Sequence, residues 1–370
     1  MTMNNDRSAG ALLSDTARHN SRSILSFLGL VYLSNLIYLG LVLRFNFLRS
    51  DVLGYWNDSL DWMHPFNPYH VAGYPLVLAL GRGLSFENLS PLVLMIGISF
   101  AAFLVSALLV YKLIREDGDE AGAVAGMALF GVWPFIGVVY SVYPVSDSLA
   151  VMLFLGGLYA LRRSRFLFAG ALLGMALIVH KAMWPFVGTL IAVQLFRVPG
   201  LRSWRFLVPL VLPLGTLWLL GSLYYGSAWW IVASNVRVEV VAKGALPFLD
   251  GIVGTALAEG MKGIVKTGIV VAIASLATVV MLICLRSSTP GARPGAAIAL
   301  SVLLLAVILN RWEIWAAVRF SKLLVLPCIW CMRDFRPRIF ADERLWAGTL
   351  TALVASQFVY AWYIARVFYA

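Results

Sequence analysis

Residues 145–181 read VSDSLAVMLFLGGLYALRRSRFLFAGALLGMALIVHK. Two apolar runs, 145–161 and 166–180, flank the turn Arg162-Arg163-Ser164-Arg165. A third run, 182–196, follows after only Lys181. A membrane-crossing helix needs about 20 mostly apolar residues, and Lys and Arg gather in the short loops on the cytoplasmic side. The stretch therefore reads as a helical hairpin in a bilayer, with its basic turn inside. The runs on either side of Lys181 are short. They read as two tilted or partial spans, or as one re-entrant unit.

The same pattern extends outward through the chain. Spanning runs occur at roughly 24–43, 91–111, 121–140, 206–225, 264–285, 295–309, 317–332 and 345–363, making about eleven in all. Val71–Leu80 is too short to span and reads as an amphipathic helix along the interface. The composition agrees. Hydrophobic residues are 61% of the 370, charged residues only 13%, and mean hydropathy is +0.85. A soluble domain is nearer half apolar and a quarter charged, and a disordered chain needs low hydrophobicity, so both are excluded. The expected architecture is an all-α polytopic membrane protein of one domain, residues 1–370, with a layer of loops and helices on its outer face.

The formal charge of +11 needs a location. With the N-terminus inside and the spans alternating, Lys and Arg divide 17 inside to 12 outside, while the acids split evenly. The inner face then carries about +8 and the outer about +3. The charge is thus an orientation signal and not a nucleic-acid-binding patch. Residues 1–23 form a cytoplasmic tail, 44–90 and 226–263 are outer loops, and the C-terminus lies outside. The first run, Ile24–Leu43, is full spanning length and reads as a retained helix, not a signal peptide. Arg outnumbers Lys 23 to 6, a usage that suits a GC-rich bacterial genome. The expected location is a bacterial inner membrane. Three cysteines, Cys284, Cys328 and Cys331, rule out a disulfide framework, and the Cys328-Ile-Trp-Cys331 pair inside an apolar run reads as packing. Gly170-x-x-x-Gly174 is a close helix-packing pattern.

The first outer loop carries Asp51, Asp58, Asp61, His64 and His70. If 51–62 is helical, Asp51 and Asp58 share a face, as do Asp58 and Asp61. A carboxylate just past a span, in a cleft facing the membrane, suits a general base whose pKa is set by burial and neighbours. No spacing among these acids and histidines matches a known metal-ligand set. No phosphate-cradling glycine loop is present, which argues against nucleotide-driven transport.

Asp51-x-x-x-Tyr55, then Asn67-Pro68-Tyr69, then Gly73-Tyr74-Pro75-Leu76 resembles the first outer loop of the GT-C membrane glycosyltransferases. That group includes polyprenyl- or dolichol-phosphate-sugar mannosyltransferases and relatives of the lipid A aminoarabinose transferase. Tyr140 to Leu149 with the following Gly-Leu-Tyr, Arg-Arg and Ala-Gly-x-x-x-Gly elements is similar to a second stretch of the group. Val318-Arg319-Phe320-Ser321-Lys322-Leu323-Leu324-x-x-Pro327 is similar to a third. His180-Lys181 stands where many relatives have Thr-Arg.

The resemblance implies an enzyme of the cell envelope that takes sugar from a polyprenyl-phosphate donor to a glycan or lipid acceptor on the outer face, with inversion. Asp51 is the implied base. Arg319 and Lys322, then His180 and Lys181, then Arg311 are candidates for the donor phosphate, since Arg grips phosphate with two parallel bonds and Lys acts as a point charge. Asp147 and Asp58 are candidates to orient the acceptor or to ligate a divalent cation, the one cofactor considered. A cap on the fourth span, made with Ser146, explains Asp147 equally well. A flippase of lipid-linked saccharide and a glycan polymerase or ligase are the competing functions. A flippase would carry charge within its spans along a pathway.

Overall fold

The computed structural model describes residues 51–60, 72–85, 88–117, 119–133, 143–195, 198–230, 250–289, 291–308 and 314–331, with a few residues between 344 and 355. The expected first span, most of the last one, and Asp61, His64, His70 and Arg311 lie outside these residues. Among the described residues the chain is helical, without a strand. The helices are α1 (Asp51–Leu60), α2 (Gly73–Leu84), α3 (Pro91–Arg115), α4 (Glu120–Gly131), α5 (Asp147–Arg162), α6 (Phe166–Val179) and α7 (Met183–Gln194). They continue with α8 (Trp204–Tyr225), α9 (Asp250–Ala258), α10 (Gly260–Arg286), α11 (Ala292–Ile308), α12 (Ile314–Phe320) and α13 (Val325–Cys331). Of these, α3, α8 and α10 are long and apolar enough to cross a membrane. The shorter α4, α6, α7 and α11 are apolar too. The protein is a helical, membrane-embedded one. Its lipid-facing character is plain on α8 and α10, where Val211, Leu212, Val265 and Val279 are exposed.

The decisive hairpin forms as read. α5 and α6 lie side by side, joined by a turn in which Ser164 takes a positive φ of 56°. α6 in turn lies along α8, and two glycines set the separation. A Cβ at Gly170 would stand 2.2 Å from the Phe206 carbonyl oxygen, and one at Gly174 would stand 2.6 Å from that of Leu210. Backbones this close admit only small residues, the physical content of the Gly-x-x-x-Gly pattern.

The run expected as one span at 317–332 is instead broken. α12 ends at Phe320, a 3-10 turn covers Ser321–Leu324, and α13 resumes at Val325. Pro327 supplies the reason. It has no N–H to give the carbonyl four residues earlier, and its ring crowds that carbonyl, so the preceding turn tightens. The span expected at 121–140 likewise has its α4 helix end at Gly131, two residues before the Trp133-Pro134 bond, and a residue preceding proline is pushed out of helical geometry.

The charged turns collect at one end of the bundle. Arg162 Nη1 donates to the Leu113 carbonyl oxygen and to Asp117 Oδ1, both at 3.0 Å, and its guanidinium lies 4.7 Å from the Trp330 ring centre. Arg163 pairs with Glu116, and Arg115 with Glu120 at 2.8 Å. The turn after α3 and the turn after α5 are thus on one side, as alternating spans require. Cys284 on α10 is disulfide-bonded, and Cys328 is a free thiol packed inside. A single bridge is not a framework.

Candidate functional site: a buried carboxylate among cations

The opposite end of the α5–α6 hairpin holds the other charged assembly. Asp147 is the first residue of α5 and is 1% exposed. His180 ends α6, its backbone extended by the turn into α7. Arg319 lies in the last turn of α12, and Lys322 sits in the 3-10 turn that Pro327 forces. One break in one helix therefore brings two cations into the interior, three residues apart.

The distances define the cluster. Arg319 Nη1 lies 3.3 Å from Asp147 Oδ1 and donates to Oδ2 at 3.4 Å. His180 Nδ1 accepts from the Ala182 N–H at 3.0 Å. In the neutral ring the proton is then on Nε2, which faces Asp147 Oδ1 from 3.9 Å. The imidazole meets the edge of Phe320 at 5.0 Å. Lys322 is 2% exposed, and its ammonium lies 5.7 Å from the Phe130 ring centre. Among the described residues no hydrogen bond reaches that ammonium. Arg319 and Lys322 do not snorkel outward from a helix end; both turn into the bundle. His180 is buried rather than hydrated, while Lys181, next in the same turn, is half-buried.

Two tyrosines close the assembly from the first loop. The Tyr55 hydroxyl on α1 is 3.0 Å from Ser146 Oγ, and the Tyr55 ring meets Tyr74 of α2 edge-on at 5.0 Å. Tyr74 is fully buried, and burial pushes its phenol well above the usual tyrosine range, so it stays a neutral O–H donor. It lies within electrostatic reach of Asp147. α2 can approach because it starts with Gly73, where a Cβ would meet the Ile178 carbonyl oxygen at 2.5 Å. Trp133 Nε1 donates to Ser321 Oγ at 2.9 Å, tying the break to the end of α4.

The structure thus brings together Asp147, His180, Arg319 and Lys322. Asp51 opens α1 one turn before Tyr55, and its side chain lies outside the described residues. Asp58 stands further along α1, within electrostatic reach of Tyr225 at the end of α8. Arg311 is also outside the described residues. Among the described residues no three His, Cys, Asp or Glu side chains gather as a metal site would need. Ser146 does not cap α5 with its side chain; its hydroxyl goes to Tyr55. Sequence reasoning gave Tyr55, Tyr74 and Ser146 no role at this site, because nothing local links positions 91 residues apart. Compared with protein-family models, with curated proteins and with solved structures, the chain matches none of them, so the geometry of this cluster carries the functional reading alone.

Proposed function

We propose that the chain is a membrane glycosyltransferase that moves sugar from a polyprenyl-phosphate donor to a glycan or lipid acceptor on the outer face of a bacterial inner membrane. About eleven spans, a cytoplasmic N-terminus and an external C-terminus belong to this proposal. The observation that carries it is the excess of buried positive charge. Arg319 pairs with Asp147, the buried Lys322 lies within electrostatic reach of that carboxylate, and His180 stands beside it. Positive charge in a low-dielectric interior costs far more than at a surface, and a phosphate anion lowers that cost. The cluster sits at the end of the bundle where the Tyr55 hydroxyl of α1, the helix that Asp51 opens, meets Ser146.

In this reading the acceptor hydroxyl gives its proton to the Asp51 carboxylate as its oxygen bonds to the anomeric carbon. The bond from that carbon to the phosphate oxygen breaks, and the phosphate leaves with the electron pair. Attack from the face opposite the leaving group inverts the centre. Arg319 and Lys322 stabilise the charge growing on the phosphate, and the Tyr74 O–H stands by as a neutral donor.

Asp51→Asn in purified protein should lower sugar transfer by a factor of 100 or more, in the range that general-base catalysis contributes. Transfer at the wild-type rate would refute the base assignment. A second reading, a flippase of lipid-linked saccharide, is favoured by the same buried charges, since ionisable groups inside a membrane mark pathways. Movement of the donor across reconstituted vesicles, with no sugar transferred to any acceptor, would establish that reading in place of the first.

A further inference from the structure

Asp147 is unlike its neighbours in the cluster. It is buried, it carries the only carboxylate among the described groups there, and it repels the anion the cations would bind. Its pairing is loose. Both oxygens share a single guanidinium nitrogen, at 3.3 and 3.4 Å, in place of the two parallel bonds of roughly 2.7–2.9 Å that a fork-to-fork pair makes. Oδ1 has no hydrogen bond among the described residues. Lys322, by contrast, stands in the same buried space without a hydrogen bond of its own there.

We propose that Asp147 is an internal anion that competes with the bound phosphate for Arg319 and so limits how tightly the spent phosphate lipid is held. The inference rests on the phosphate-site reading above. Its logic is one of charge. A sugar–phosphate–lipid donor is a phosphodiester with one negative charge. The product is a monoester, which carries about −1.5 to −2 near neutral pH. Two fixed cations and a histidine therefore hold product more strongly than substrate. A carboxylate waiting at 3.3 Å offers Arg319 another partner, offsets one unit of charge, and favours release of the more highly charged species.

The test uses the full chain in detergent, wild type and Asp147→Asn, titrated separately with farnesyl monophosphate and with inorganic phosphate. Binding of the farnesyl probe alone assigns the site to a lipid headgroup; tighter binding of the inorganic ion assigns it to free phosphate. In whichever arm binds, Asp147→Asn should bind at least about fivefold tighter, within the usual range of coupling between sites. Equal or weaker binding by the variant overturns the competition and leaves the phosphate site standing. No binding by either protein overturns the site itself. If Asp147→Asn does not accumulate, extraction in farnesyl monophosphate should restore it, because an anion replaces the lost charge and binding stabilises the folded state. Failure of that rescue for both Asp147→Asn and Asp147→Ser also overturns the proposal.

Discussion

Ser146 precedes α5 where a helix cap belongs, yet its hydroxyl reaches Tyr55 on α1 and leaves the helix end to the backbone. That choice ties the first loop to the Asp147 cluster through a buried contact. Tyr55→Phe keeps the ring against Tyr74 and removes only the hydroxyl. It should cost about 1 kcal/mol of stability, the usual net worth of such a bond, and leave Ser146 without its partner. The check is thermal unfolding in detergent, where a loss indistinguishable from zero would mean the contact does not anchor α1. At this scale the sequence was only partly legible. His180, Arg319 and Lys322 could be chosen because cations at span ends are few in an apolar chain. Asp147 could equally be a cap, and its burial beside Arg319, Lys322 and His180 follows from tertiary packing that no local pattern encodes.

The helices were more legible than the residues, because length and hydropathy are summed over many positions. The α5–α6 hairpin, the long α3, α8 and α10, and the short helix after residue 71 all follow from runs of apolar side chains broken by basic turns. The helix at 71–80 extends to Leu84 and is tucked inward at its start, since Gly73 admits the end of α6. What hydropathy misses is continuity. The 317–332 run is mostly apolar, yet Pro327 breaks it, and the break is what carries Lys322 inward. The glycine pair on α6 was readable as a contact but not as to its partner, which is α8. Gly174→Leu would drive a side chain into the Leu210 and Pro209 carbonyls. It should destabilise the fold by roughly 1–3 kcal/mol, as overpacking does. Gly188→Leu on α7, where a Cβ meets nothing within 4 Å, serves as the control. Equal losses in the two variants would show that the α6–α8 contact is not the tight one.

Across the whole molecule, charge is sorted to two ends with different chemistry. At one end ion pairs tie the turns together: Arg162 with Asp117, Arg163 with Glu116, Arg115 with Glu120. At the other, Arg319 pairs with Asp147, the one carboxylate of that cluster among the described residues, with Lys322 and His180 alongside. The first end suits a face whose task is to hold turns together and fix orientation. The second end is where an anion would lower the energy of the fold. Alternation of basic turns made the two ends foreseeable; the burial of Lys322 beside Asp147 became visible only in the fold. Binding of farnesyl monophosphate to the purified chain, wild type against Lys322→Gln, tests that claim most directly. The account expects the wild type to bind and the variant to bind at least about tenfold more weakly, the loss of one charge-assisted contact. Equal affinity in the two proteins would contradict it.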